Sequence, residues 1–157
     1  MLVKQIMTTN IITVSPTTTF FEAAKLFLDN KISGAPVVDD NGVLVGVLSE
    51  KDLFKALYPT SADFYSSAKK YIIGEALEDG ANYASHKTVA ECMSHRLITT
   101  TPETNILRVG GQMVATGVHR VPVVDEGKLV GMVSRGDIYR AVLEQKYNIY
   151  APNQTTA

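Results

Sequence analysis

The sequence predicts an α/β fold built from two β-α-β-β-α repeats packed as a pseudo-two-fold pair. Three observations carry this: a stretch of the chain is written twice, each copy alternates β-branched runs with helical spacing, and one copy alone is too short for a good core. The duplication is plain at ITVSP, ending in Pro16, and ITTTP, ending in Pro102, with Met7 answered by Met93. Further on, APVVDDNGVLVGVLSEKDL (35–53) is answered by VPVVDEGKLVGMVSRGDI (121–138), one residue shorter in its turn. Loss of a residue inside a tight turn is what a duplicated hairpin tolerates best. The copies are taken as residues 1–57 and 88–146, joined by a linker, 58–87, and followed by a tail, 147–157. A unit of about 55 residues buries too little surface alone, so the two are expected to pack through their sheets.

Each copy opens with a short β-rich run, 11–14 or 97–100, which reaches a proline that breaks it. An amphipathic helix follows in the first copy, with Phe20, Ala23, Ala24 and Phe27 on one buried face and Thr19 and Glu22 spaced for a capping box. Next come PVVD and VLVGVLS in the first copy and PVVD and KLVGMVS in the second. They flank Asp-Asp-Asn-Gly or Asp-Glu-Gly, which are hairpin signals. A second helix starts after Ser49 or Ser134 and carries Leu53 and Leu57, or Ile138 and Val142, inward. The linker has no counterpart in the second copy. It is read as holding a helix over 62–77 with Phe64, Tyr65 and Tyr71, packed across the module rather than serving a separate binding role.

Composition narrows the function. Among 157 residues, 15 Lys plus Arg stand against 16 Asp plus Glu, so the surplus of positive charge that nucleic acid or an anionic membrane selects is missing. No apolar run approaches the roughly 18 residues needed to cross a bilayer, and the N-terminus lacks the layout of a signal peptide. A cytosolic protein is expected. The single Cys92 forms no internal disulfide and is read as a buried small apolar residue. His86 and His95 lack ligand-like spacing, so no metal is expected. With no nucleophile–base pair and no Walker-type loop, neither is catalysis.

The chemistry sits in a twice-written G-x-x-S-x-x-D. Gly46 and Gly131 lie within or at the end of a strand, where a missing side chain lets a planar base or ribose approach the backbone. Ser49 and Ser134 stand where strand passes into helix, bringing a hydroxyl and free N–H groups to the positive end of a helix dipole, which suits phosphate. Asp52 and Asp137 add a carboxylate able to accept from two vicinal ribose hydroxyls. The same spacing also suits a capping box with no ligand involved, a device worth about 1 kcal/mol per cap. Both readings are compatible in one residue set.

Two copies of this motif, in register with the upstream T-x-x-P and Pro-Val-Val-Asp hairpins, resemble a tandem pair of cystathionine β-synthase (CBS) domains, the Bateman module. The resemblance implies a non-catalytic regulatory module that binds AMP, ADP or ATP, with S-adenosylmethionine a further candidate, in clefts between the repeats. It implies signalling by change of orientation or of oligomer contacts, as in energy sensing, a homodimer formed through helix faces, and a separate regulated protein partner. In the main site it implies Ile32 and Ser33 facing adenine, Ser134 and His119 reaching phosphate, Asp137 taking the ribose diol, and Arg120 and Arg135 supplying positive charge. In a second site it implies Val118 and His119 set against Ser49 and Asp52, with Lys51 the local cation and Glu50 disfavouring further phosphate. Thr13 and Thr99 are candidates for backbone contacts to a base. The site centred on Asp137 is expected to be the tighter. A different reading treats the Ser-x-x-Asp motifs as caps only, His119 and Arg120 as solvated, and the chain as a ligand-independent assembly module.

Overall fold

The structure is a computed structural model, and it describes residues 1–57 and 76–147. In chain order the elements are α1 (Phe20–Asn30), β1 (Gly34–Val38), β2 (Leu44–Ser49), α2 (Glu50–Ala56), α3 (Ala76–Ser85), α4 (Val89–Cys92), α5 (Ile106–Thr116), β3 (Arg120–Asp125), β4 (Lys128–Ser134) and α6 (Arg135–Tyr147). Most of the linker helix expected over 62–77 lies outside the described residues, as does the tail beyond Tyr147. The chain divides into two compact units: unit 1 is Met1–Ile11 with Ile98–Ala157, and unit 2 is Ile12–Leu97.

The α1 helix forms as its sequence predicts. Thr19 N and Oγ1 donate to Glu22 Oε2 at 2.9 and 2.8 Å, and Glu22 N returns a bond to Thr19 Oγ1, closing the capping box. Its inward face is Phe20, Ala23 and Phe27, with Ala24 at the margin. Both hairpins form: β1 pairs antiparallel with β2 and β3 with β4, each with a register shift, after Val37 and after Val123. The shorter second turn carries Glu126 at φ 46° and Gly127 at φ 80° between the paired Asp125 and Lys128, the positive-φ pair that a tight two-residue hairpin loop requires. In the longer first turn, Asp39 Oδ1 accepts from the N–H groups of Asn41 and Val43 instead.

The opening strand of each repeat shrinks to one residue. Val14 N donates to Pro36 O and Val38 N to Val14 O, a single parallel bridge centred on Val37; Thr100 does the same with Pro122 and Val124. In a parallel ladder the next bonds would come from the nitrogens of residues 16 and 36, or 102 and 122. All four are prolines without an N–H, so neither bridge can lengthen.

Each unit takes its first segment from the other repeat. Val3 N and Lys4 N donate to Thr104 O and Pro102 O, while Val89 N and Ala90 N donate to Thr18 O and Pro16 O. Thr8 exchanges both backbone bonds with Met132, as Ser94 does with Val47. Gly46 and Gly131 therefore face a methionine rather than open space: a Cβ on Gly131 would lie 2.6 Å from Met7 Sδ, and one on Gly46 2.5 Å from Met93 Sδ. This corrects the expectation that these glycines leave room for a base or ribose.

The two cores are the same skeleton filled differently. Phe20, Ala23, Phe27, Ala35, Val37 and Leu48 in unit 2 correspond to Ile106, Val109, Met113, Val121, Val123 and Val133 in unit 1. Large residues in one copy correspond to smaller ones in the other, as Phe20 to Ile106, and small to larger, as Ala23 to Val109, so the same skeleton is filled while identity changes. Ala84 of α3 is fully buried in the unit 2 core, so the described end of the linker packs there. Cys92 is half-buried against the same core, not fully enclosed, and burial pushes its thiol pKa up.

Gly131→Ala is expected to cost about 1–3 kcal/mol in chemical denaturation through overpacking. Adding Met7→Ala should make the double variant less destabilised than the two single effects summed. Full stability in Gly131→Ala alone would contradict the contact.

Candidate functional site

In each repeat the last strand residue is also the helix cap. Ser49 closes β2 opposite Gly34, and Ser134 closes β4 opposite Arg120. Ser49 N and Oγ donate to Asp52 Oδ2 at 2.9 and 2.5 Å, and Asp52 N returns a bond to Ser49 Oγ at 3.3 Å. Ser134 and Asp137 repeat the pattern at 2.8, 2.6 and 3.2 Å. Both Ser-x-x-Asp motifs are thus closed capping boxes. That leaves the Oδ1 oxygen of each carboxylate outside the box. In Asp137 this Oδ1 accepts from Arg140 Nη2 at 2.7 Å. Lys55 stands at the corresponding position of the first repeat and, among the described residues, makes no such pair with Asp52.

The charge around the two corners differs. In unit 1, Arg135 N donates to His119 O at 2.9 Å, which holds the residue before β3 against the first turn of α6. His119, Arg120, Ser134, Arg135 and Asp137 therefore meet at one corner, with His119, Arg120 and Arg135 exposed and Ser134 and Asp137 half-buried. In unit 2, Glu50 N donates to Ser33 O at 3.1 Å and gathers Ser33, Ser49, Lys51 and Asp52 in the same way. Ile32 and Val118 are half-buried and pack on the edges of their own units' cores. Thr99 is exposed beside the Thr100 bridge to Val123, and it is the neighbour Thr100 that is buried. The unit 1 corner carries three guanidinium groups, those of Arg120, Arg135 and the Asp137-bound Arg140, against one carboxylate. The unit 2 corner carries one ammonium against two. With a helix N-terminus at each, the first is the better host for an anion.

Burial pushes the Asp137 carboxyl upward, but hydrogen bonds from the Ser134 hydroxyl and N–H and from Arg140 outweigh it, so its pKa lies below the ordinary carboxylate range. The carboxylate is ionised at neutral pH and acts as an acceptor only.

Two features escape the sequence reading. Arg140 anchors Asp137 from the next turn of α6, which an i, i+3 acid–base spacing would have signalled. A cavity of about 540 Å³ lies within unit 1 between α5 and α6, bordered by Leu107, Gly110, Val114, Arg135 and Tyr139, with His119 and Val118 at its margin. Its signal was the recurrence of apolar residues at polar-face positions of both repeats. Among the described residues no three His, Cys, Asp or Glu side chains gather as metal ligands, and no helix is long and apolar enough to cross a membrane.

Because the Asp137 pKa is depressed on folding, the stability it contributes is present at neutral pH and is lost as pH falls through the carboxyl's titration. Asp137→Asn should be less stable than the parent at pH 7, with the gap closing as pH falls below the ordinary carboxyl range and the parent carboxyl takes its proton; parallel stability curves would contradict this. Ser134→Ala should cost about 1 kcal/mol at pH 7.

Comparison with known proteins places this geometry. The CBS domain family model matches residues 3–59 and 89–144. The chain is 35% identical over 156 residues to uncharacterized protein MJ1426 of Methanocaldococcus jannaschii, covering 91% of this chain and 92% of that one. The crystal structure of CBSX2 in complex with AMP, a protein of Arabidopsis thaliana, superposes with a TM-score of 0.72 at 32% identity, covering 92% of this chain and 98% of that chain. The present chain spans 60% of the full CBSX2 sequence. The CBS domain pair of protein MJ0100, solved in complex with 5′-methylthioadenosine and S-adenosyl-L-methionine, superposes with a TM-score of 0.70 at 29% identity, covering 93% of this chain and 98% of that one. Two matched repeats, a capping Ser-x-x-Asp in each and this likeness along the chain lead to one conclusion: the chain belongs to the CBS domain family, as a tandem pair.

Proposed function

We propose that the chain is a non-catalytic regulatory module that binds adenosine-containing ligands of the AMP, ADP and ATP class, with S-adenosylmethionine and 5′-methylthioadenosine as chemical relatives of the same ligand. The observation that carries this reading is the likeness, over more than nine tenths of the chain, to CBSX2 solved with AMP and to MJ0100 solved with two adenosine compounds. The chemistry of the unit 1 corner supports it. Asp137 Oδ1 can accept the ribose diol in exchange for Arg140. The N–H groups of the α6 start, with Arg120 and Arg135, suit one or more phosphates. Ile32 and Ser33 are the proposed base contacts, and the Ser49–Asp52 corner with Lys51 is the proposed weaker site, its Glu50 opposing further charge. Nothing in this chemistry activates a bond. A ligand acts by favouring one conformation, by no more than its preference between states, and competition among AMP, ADP and ATP would report adenylate balance. The readout is proposed to pass through a homodimer and a separate protein partner.

One observation favours a second reading. Both Ser-x-x-Asp sets already satisfy one another within their helices, so a ligand-free assembly module needs nothing more from them.

Isothermal titration separates the two. AMP, ATP or S-adenosylmethionine should bind the parent chain, and Asp137→Ala should weaken that affinity by about 1–3 kcal/mol, roughly 5- to 150-fold, through the unpaired diol. Asp52→Ala should matter less. No heat at millimolar ligand would leave the assembly reading standing.

A further inference from the structure

The hollow between α5 and α6 of unit 1 has an apolar lining and a cationic end. Gly110, Gly111, Met113 and Ile138 line it, Met113 and Ile138 being buried, while Leu107, Val114 and Tyr139 border it and are 61–85% exposed. At about 540 Å³ it falls within the roughly 300–1,000 Å³ of pockets that hold small organic ligands. Its charged members are gathered together. Arg135 N donates to His119 O at 2.9 Å, so Arg135 and His119 enter the lining side by side, next to Gly117 and Val118 where α5 stops. From there the apolar stripe runs back along α5, with Leu107 and Val114 seven residues apart, about 10 Å of helix.

Two observations set the hollow apart from an incidental gap. A Cβ on Gly110 would make ordinary contact with Ile138 Cγ2 at 3.6 Å, and one on Gly111 would meet nothing within 4 Å. Packing inside unit 1 therefore gives no reason for either glycine, and each weakens a helix interior relative to alanine. What they provide is room. In the first repeat the same positions hold Ala24 and Lys25, with Lys31 in place of Gly117 and Glu50 in place of Arg135, so side chains stand where the second repeat has space and an acid replaces the cation. The second observation is a division of α6 by side. Arg135, Ile138 and Tyr139, spaced i, i+3, i+4, belong to the hollow, while Asp137 and Arg140 pair with each other at 2.7 Å on another side of the helix. The hollow and the cap carboxylate are thus separate places, and the one acid nearby is already paired.

We infer that this hollow is a ligand site of its own and that its ligand is a free medium-chain carboxylic acid, with the carboxylate on Arg135 and His119 and the chain laid along Leu107, Val114 and Tyr139 over the two glycines. A guanidinium takes a carboxylate through two parallel hydrogen bonds, and burial of methylenes adds affinity in proportion to chain length. The inference goes beyond the adenosine reading and needs no nucleotide.

Titration of decanoate into the isotope-labelled full chain, with no nucleotide present, tests it by amide NMR. Decanoate should shift the amides of Gly110, Gly111 and Gly117 saturably, and affinity should rise about two- to fourfold per methylene from hexanoate to decanoate. Gly110→Leu and Gly111→Leu each place a side chain in the hollow and favour the helix, so each should keep or raise the melting temperature while weakening decanoate at least tenfold. Arg135→Gln should weaken decanoate about tenfold and leave the binding of decanol, which lacks the charge, unchanged. No saturable shift at millimolar decanoate, shifts confined to other residues, decanol binding as tightly as decanoate to the parent, or leucine variants that bind like the parent would each overturn the inference. A separate AMP titration reads the adenosine proposal, so either can fail while the other stands.

Discussion

The carboxylate at the third position of α2 and α6 is the constraint on which the rest depends. One of its oxygens closes the turn where strand becomes helix, by accepting from both the N–H and the hydroxyl of the capping serine. That pair of bonds fixes the direction of the helix start and the place of the following residue, whose N–H holds the loop before the other strand of the hairpin. Position 119 is thereby tied to position 135, and position 33 to position 50. In Asp137 the second oxygen stays at the edge of the corner, and the hydrogen bonds from Ser134 and Arg140 hold that carboxyl ionised. A residue that must be charged and oriented to start a helix is already prepared to accept hydrogen bonds from a sugar.

Duplication supplied two such corners and then let them diverge. Arg120, Arg135 and His119 stand where the first repeat has Gly34, Glu50 and Ser33, so one backbone frame presents a cationic corner and the other an acidic one. Backbone geometry was kept by the features that cannot change cheaply: the two prolines of each parallel bridge, the glycine beneath each methionine, and the serine of each cap. Side chains outside that frame were free to change, and they carry the difference in charge between the two corners.

Local signals were read directly from the sequence. Thr19 and Glu22 announced α1, the Asn-Gly and Glu-Gly turns announced the hairpins, and Ser49 and Ser134 announced both helix starts. Relations between distant segments were less legible. The runs at 11–14 and 97–100 have strand composition, yet the missing N–H groups of Pro16, Pro36, Pro102 and Pro122 hold each to one bridge, and that follows only once the partner is known. Nor does periodicity reveal which copy a segment packs on, so Met7 and Met93 were visible as a repeated pair but not as the reason for Gly131 and Gly46. At the candidate site the Ser-x-x-Asp geometry was legible because it is local. The Arg140 contact and the hollow beside Gly110 and Gly111 depend on which side of a helix is left uncovered.

The central claim is that the cap corner of the second repeat is where an adenosine ligand is read. Backbone amide NMR of the full chain during titration with AMP addresses it residue by residue. The account predicts the largest shifts at the amides of Ser134, Arg135, Gly136 and Asp137 and of His119 and Arg120, with smaller and later changes at Ser49 and Asp52. Saturation that leaves these amides unmoved while others shift would contradict it.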